Sequence, residues 1–163
     1  MRRRAWLAAL AGAAALSGCG FQLRRAPELP FKTLHLVGFK PTSPMGVALR
    51  RALATSTGTR LVEARPQAEV IFEVLGDAEE KSVVAYTASA QVRELQLRSR
   101  LVFRLQTASG RELIARTEIV QSRDMSYKES DALAKEQEEQ LLYRAMQDDI
   151  ALQVLRRLAA VKA

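Results

Sequence analysis

The chain has 163 residues, with 25 Lys and Arg against 18 Asp and Glu, one His and one Cys. A single cysteine excludes an internal disulfide, and a single histidine leaves too few ligands for a His/Cys metal site. The formal charge of +7 includes Arg2, Arg3 and Arg4 at the very start; the rest of the chain is mildly basic, which suits acidic counterparts such as anionic lipids or glycolipid phosphates.

The first element is an export signal. Arg2, Arg3 and Arg4 precede an apolar run, Ala5 to Leu16, broken only by Gly12, and small residues follow at a cleavage point. The run falls short of the roughly 20 residues that a bilayer-spanning helix requires. Leu16-Ser17-Gly18-Cys19 resembles the lipobox of bacterial lipoproteins. That resemblance implies cleavage before Cys19 and a covalent acyl and diacylglycerol lipid on it, with no other cofactor; the alternative is an ordinary signal with a chance cysteine. Two or more acyl chains make membrane residence stable, where one does not. Gly20 stands where an aspartate would signal retention at the inner membrane, which implies the periplasm-facing side of the outer membrane. Removing residues 1–18 leaves 145, one domain's worth, with 22 basic and 18 acidic side chains. Export removes nucleic acid as a partner.

Residues 19–31 read as the lipidated terminus and a tether, with Pro27 and Pro30 in an extended Arg24–Pro30 stretch, and residues 32–163 as a single domain. Lys32 to Phe39 has strand character and stops before Pro41. A helix follows, with Ser43 as N-cap, Pro44 at the first helical position and Gly58 as a left-handed stop. Val47, Leu49, Leu53 and Ala54 form its expected apolar side. From Ala68 the period becomes two, with Val70, Phe72 and Val74 on one face. Asp77 to Ala88 holds a turn whose place the pattern does not settle. Leu95, Leu97, Leu101, Phe103 and Leu105 then alternate with Glu94, Gln96, Arg98, Arg100 and Arg104, the cleanest strand in the chain. Ser109-Gly110 predicts a two-residue hairpin, and the returning strand, Arg111 to about Arg123, alternates less well. The last segment is helical, beginning at Ser126 or nearer Asp131, with Leu141, Ala145, Leu152 and Ala159 as its expected apolar row, flanked by Leu142, Met146 and Leu155. The predicted fold is α+β: a two-layer sandwich of about four mainly antiparallel strands with two helices on one face.

No catalytic constellation emerges. His35 lies alone inside a strand, and no phosphate loop, nucleophile elbow or metal motif occurs. The carboxylate pairs Glu79-Glu80, Glu138-Glu139 and Asp148-Asp149 are adjacent residues, which point different ways and read as solvated charge. The chain reads as neither an enzyme nor a metalloprotein. Arg98, Arg100 and Arg104 share a strand face, with Arg93 nearby at an unsettled register. Two readings stay open: a guanidinium ladder suited to phosphate, or a solvated face that discourages edge pairing.

Three short stretches carry a family resemblance: Gly18-Cys19-Gly20-Phe21-Gln22-Leu23-Arg24, Ala132-Leu133-Ala134-Lys135 and Arg156-Arg157-Leu158. With the length and element order, they resemble the lipopolysaccharide-assembly lipoprotein family LptE. The resemblance implies a non-catalytic lipoprotein that plugs the lumen of the outer-membrane barrel LptD in a 1:1 complex. It further implies help in assembling that barrel and in passing lipopolysaccharide to the outer leaflet. Lys135 matches a basic position that the family uses toward lipopolysaccharide. A second such position falls near Ala85, where Lys81 or Arg93 is the available substitute. Rival readings are a pilotin or chaperone for a secretion barrel, a tethered periplasmic hydrolase, and a passive lipoprotein that binds envelope polymer.

Overall fold

The computed structural model describes residues 27–162, so the signal and Cys19 lie outside the described residues. Five strands and two long helices follow in order: β1 (Thr33–Val37), α1 (Pro44–Ala54), β2 (Arg60–Leu61), β3 (Val70–Tyr86), β4 (Val92–Thr107), β5 (Glu112–Ser126) and α2 (Ala132–Ala159). The sheet order is β2-β1-β3-β4-β5. β3, β4 and β5 form an antiparallel meander, while β1 is parallel to both β2 and β3. The strand count thus exceeds the expected four by β2, whose two residues are too few to produce an alternation.

β4 lies between β3 and β5, and one of its faces is almost wholly apolar. Leu97, Leu101, Phe103 and Leu105 are fully buried and Leu95 nearly so, as their alternation predicts. Phe103 stacks on Phe72 with ring centroids 4.7 Å apart, a diagonal cross-strand contact worth about 1 kcal/mol beyond its area. Both helices cover this face. From α1, Met45, Leu49 and Leu53 enter the core; from α2, Ile150, Ala151, Val154, Leu155 and Leu158 do. The packed body reaches back to Leu29 and Phe31, ahead of the expected boundary at residue 32.

Helix α1 is capped as predicted: the Ser43 hydroxyl accepts from the Gly46 amide at 2.9 Å and donates to Asp77. The helix ends at Ala54, and Gly58 supplies the left-handed residue three positions after the Thr55 C-cap. Val47 and Ala54 face solvent, so the apolar side is centred on Met45, Ala48, Leu49 and Leu53. On α2 the expected row is also displaced. Leu141 and Leu152 are exposed, and the sheet-facing row is Met146, Gln147, Ile150, Ala151, Val154, Leu155 and Leu158. Asp148 and Asp149 explain the ambiguity: about 100° apart on the helix, they reach opposite neighbours, Arg51 of α1 at 2.6 Å and Arg123 of β5 at 3.1 Å.

The turn expected within Asp77–Ala88 lies later, at the loop Thr87–Gln91, because β3 runs on to Tyr86; this loop duplicates the loop Thr107–Arg111. In each, the amides of the first and fourth residues donate to the carbonyls of the fifth and first, respectively, and the threonine and serine hydroxyls lie about 3 Å apart. The fourth residue is left-handed in both, Gly110 at φ +91° and Ala90 at φ +60°. These are three-residue hairpins, not the predicted two-residue type. Alanine in place of glycine hid the first of them.

Bulges account for the uneven strands. Leu75 is an extra residue in β3, so past it Asp77, Glu79 and Lys81 take the helix-facing positions opposite Leu101, Ser99 and Leu97. In β5 two steps of β4, Phe103 to Leu105, match three, Thr117 to Ile114, which breaks the alternation there.

Candidate functional site

The sandwich has two ends. The proximal end holds the first described residues, the Thr107–Arg111 hairpin and the C-terminus of α2; the distal end holds the Thr87–Gln91 hairpin and the start of α2. A polar row crosses the sheet between them: Glu79, Ser99 and Gln121 pair in register, and buried Gln147 of α2 donates to Glu79. The row separates the main core from a small distal cluster of Leu95, Leu97, Met125 and Met146.

The distal half of α2 is held largely by polar contacts, spaced at i, i+4. Lys135 Nζ lies 3.1 Å from Ser126 Oγ and 2.8 Å from Glu138; Glu139 meets Lys81 at 2.9 Å; Tyr143 donates to the Glu80 carbonyl at 2.8 Å; Gln147 follows. These four positions lie on one side of the helix, where residues four apart are neighbours. Beneath them is an open cavity of about 440 Å³ lined by Glu79, Lys81, Tyr127, Ala132, Glu136, Glu139, Gln140 and Tyr143. Burial first, and then the charges of Glu139, Glu79 and Glu80, push the Tyr143 hydroxyl up to about 12. It therefore stays a protonated donor at neutral pH. A second opening, lined by Thr87, Ala90, Gln91, Val92, Tyr127, Lys128, Glu129 and Ser130, faces the hairpin tip.

Lys135 and Arg93 are brought to this end. Arg93 is the extra residue of a bulge between Val92 and Glu94, which pair with Tyr86 and Ala85, and its carbonyl accepts from the Tyr127 amide. It thus stands beside Ala85, the position where the expected second cation is missing. Arg98, Arg100 and Arg104 lie elsewhere, on the outer face of the sheet. They form the predicted ladder, but each has a carboxylate on a neighbouring strand: Glu80 at 4.0 Å, Glu118 at 2.9 Å and Glu73 at 2.6 Å. Val102, between Arg100 and Arg104, is buried on that outer face, as is Ile71. The outer face is therefore a charge-balanced lattice, with no file of free cations.

Sequence reasoning passed over Glu139, Tyr143 and Tyr127 as site residues. The first two had a signal in the i, i+4 series from Lys135, whereas Glu139 read as one of an adjacent solvated pair. His35 is accounted for by its strand, with Nδ1 3.0 Å from the Val62 carbonyl. Among the described residues no group of three or more His, Cys, Asp or Glu could hold a metal, and no helix is long and apolar enough to cross a membrane.

Comparison with known proteins agrees with this architecture. The family model LptE, "Lipopolysaccharide-assembly", matches residues 31–158. The LPS-assembly lipoprotein LptE of Photorhabdus laumondii is 26% identical, covering 99% of this chain and 88% of that protein. The solution structure of lipoprotein B from Nitrosomonas europaea superimposes with a TM-score of 0.73 at 32% identity, covering 86% of this chain and 91% of that one. Rare lipoprotein B from Shewanella oneidensis shares the fold, with a TM-score of 0.67 at 21% identity over 79% of this chain and 95% of that one. A family match that takes in the whole sandwich, from buried Phe31 to buried Leu158, shows that the chain belongs to the lipopolysaccharide-assembly family LptE.

Proposed function

We propose that this chain is a non-catalytic outer-membrane lipoprotein, anchored through Cys19, that lodges in an LptD-type barrel in a 1:1 complex. There it helps assemble the barrel and hand lipopolysaccharide to the outer leaflet. The distal end is the glycolipid contact. The observation that carries this reading is the composition of that end. Lys81, Arg93, Lys128 and Lys135 lie on elements that meet there, together with exposed Val83, Val84, Tyr86 and Leu133. Cations beside apolar groups fit a phosphorylated glycolipid, whose headgroup is anionic and whose tails are apolar.

The arrangement also suits an anchor at the other end. Pro27 and Phe31 are hydrogen-bonded to Ser56 and Thr59 at the proximal end, and eight Cα-to-Cα steps lead from Cys19 to Pro27, a reach of at most about 28 Å. β3 then carries the chain about 50 Å to the distal end, more than the ~45 Å of a bilayer with its headgroups. An inner-leaflet anchor and an outer-leaflet delivery point are both within the protein's span. The paired charges of the outer sheet face suit the polar lumen of an outer-membrane barrel.

The test is a detergent pull-down of the lipidated chain, followed by titration of the complex with lipopolysaccharide. One large β-barrel in equal amount, and binding weakened several-fold by Lys135→Gln, is the expected result. Recovery of a secretion barrel would move the function to a pilotin, and a chain with no barrel would end the plug reading. Changing Arg98, Arg100 and Arg104 together to glutamine should leave glycolipid binding intact while reducing barrel recovery.

A further inference from the structure

Two of the distal cations, Lys135 and Lys81, are not free in the structure. Lys135 is only 17% exposed and is held between Ser126 and Glu138; Lys81 is held by Glu139, itself 20% exposed. Both glutamates belong to α2, and the hydrogen bond from Tyr143 to the Glu80 carbonyl keeps that part of the helix seated on β3. Glu136 precedes both in sequence and lines the same cavity as Lys81 and Glu139, yet has no cation within 4.0 Å among the described residues. The start of α2 therefore offers a matched comparison: two glutamates that occupy a lysine and one that does not.

We propose that Glu138 and Glu139 act as built-in competitors for Lys135 and Lys81, so that a phosphorylated ligand binds the distal end only by displacing the protein's own carboxylates. This rests on the assignment of the distal end as a glycolipid contact. A lysine ammonium has rotatable donors on a flexible stem, so it can pass from carboxylate to phosphate without movement of the backbone. Exchange of one anion for another keeps each ammonium paired throughout. It also makes affinity moderate, as suits a step that must release what it binds. Partly exposed pairs of this kind hold weakly, so each competitor should lower affinity only about two- to fivefold.

The experiment is titration of the lipidated full chain, in detergent, with lipopolysaccharide and with its dephosphorylated form. Glu139→Gln and Glu138→Gln should each bind the phosphorylated form about two- to fivefold tighter, with no gain for the dephosphorylated form. Glu136→Gln removes the same charge from the same turns without freeing a lysine, so its gain should be clearly smaller. Circular dichroism on each variant checks that α2 is retained. If Glu136→Gln gains as much as the other two, the effect is general electrostatics and the proposal fails. If Glu138→Gln and Glu139→Gln bind no tighter while Lys135→Gln binds weaker, the glycolipid site stands and the competition does not. Absence of binding by the wild-type chain and by every variant overturns both.

Discussion

The two halves of α2 sit on the same sheet and are held there differently. From Ile150 to Leu158 the helix contributes five buried apolar residues to a core shared with α1 and four strands. From Lys135 to Gln147 it makes a hydrogen-bonded or ionic contact at every fourth residue, over a cluster of only four buried side chains. Apolar burial is non-directional and is lost only by unfolding, whereas polar contacts can be exchanged for water or for a ligand. The proximal half stabilises the fold; the distal half is the part whose contacts a ligand can replace.

Deletions in the two cores test this first. Phe103→Ala removes a fully buried, stacked ring from the main core and should lower unfolding stability by about 3–5 kcal/mol in a urea titration. Leu97→Ala in the distal cluster should fall at the low end of the leucine range, about 2–3 kcal/mol, because water reaches the small cluster easily. Equal losses would mean one undivided core.

Native-state hydrogen exchange sharpens the contrast. Amides of α2 from Lys135 to Leu142 should exchange at least about 100-fold faster than those from Ile150 to Leu155, since local opening there breaks few apolar contacts. Uniform protection along the helix would contradict the division.

The twin hairpins provide a smaller effect of opposite sign at the two ends. A Cβ on Gly110 meets nothing within 4 Å, so Gly110→Ala is strained only by its left-handed φ and should destabilise by about 1 kcal/mol. Ala90→Gly relieves the same strain at the distal loop and should stabilise by about 0.5 kcal/mol, the gain being reduced by glycine's unfolded-state entropy. A loss at Ala90→Gly would show that the loops are not equivalent.

The last prediction concerns pH. The Tyr143 hydroxyl is raised from 10.0 to about 12 in the folded chain, so the folded state holds its proton more tightly than the unfolded one. Its contribution to stability is complete below pH 10 and disappears as pH rises from 10 through about 12. Tyrosine absorbance should show a late-ionising component that Tyr143→Phe removes.

Much of this architecture was legible in the residues, and the exceptions have physical causes. Capping and strict alternation are local, so α1's start at Ser43 and Pro44 and the buried face of β4 could be read directly. β2 has only two residues and exists because β1 offers it a parallel edge, a tertiary fact with no periodicity behind it. The bulge at Leu75 turns Asp77, Glu79 and Lys81 to the helix-facing side, out of step with Val70, Phe72 and Val74, so no alternation announced the polar contacts of the distal half. On α2, Leu141 and Leu152 drew the expected apolar row away from the true one. Along its distal half the row that faces the sheet is largely polar, and hydrophobicity alone cannot find a polar interface. For the candidate site, Lys135 came from a family motif, whereas its partner Ser126 and the neighbouring Lys81–Glu139 pair depended on how three strands and a helix end together.

The duplicated hairpin has a practical consequence. Thr87–Gln91 and Thr107–Arg111 are near-identical in sequence and hydrogen bonding, yet they cap opposite ends of a 16-residue strand. Ser89→Cys and Ser109→Cys would therefore place one chemical environment at two points about 50 Å apart. Only Cys19 competes for a thiol label, and acylation would block it. Any disturbance the dye causes is matched at both sites, so a difference in quenching by lipid-borne probes reports depth alone. The molecule thus carries its own two-mark gauge of which way it stands in the envelope.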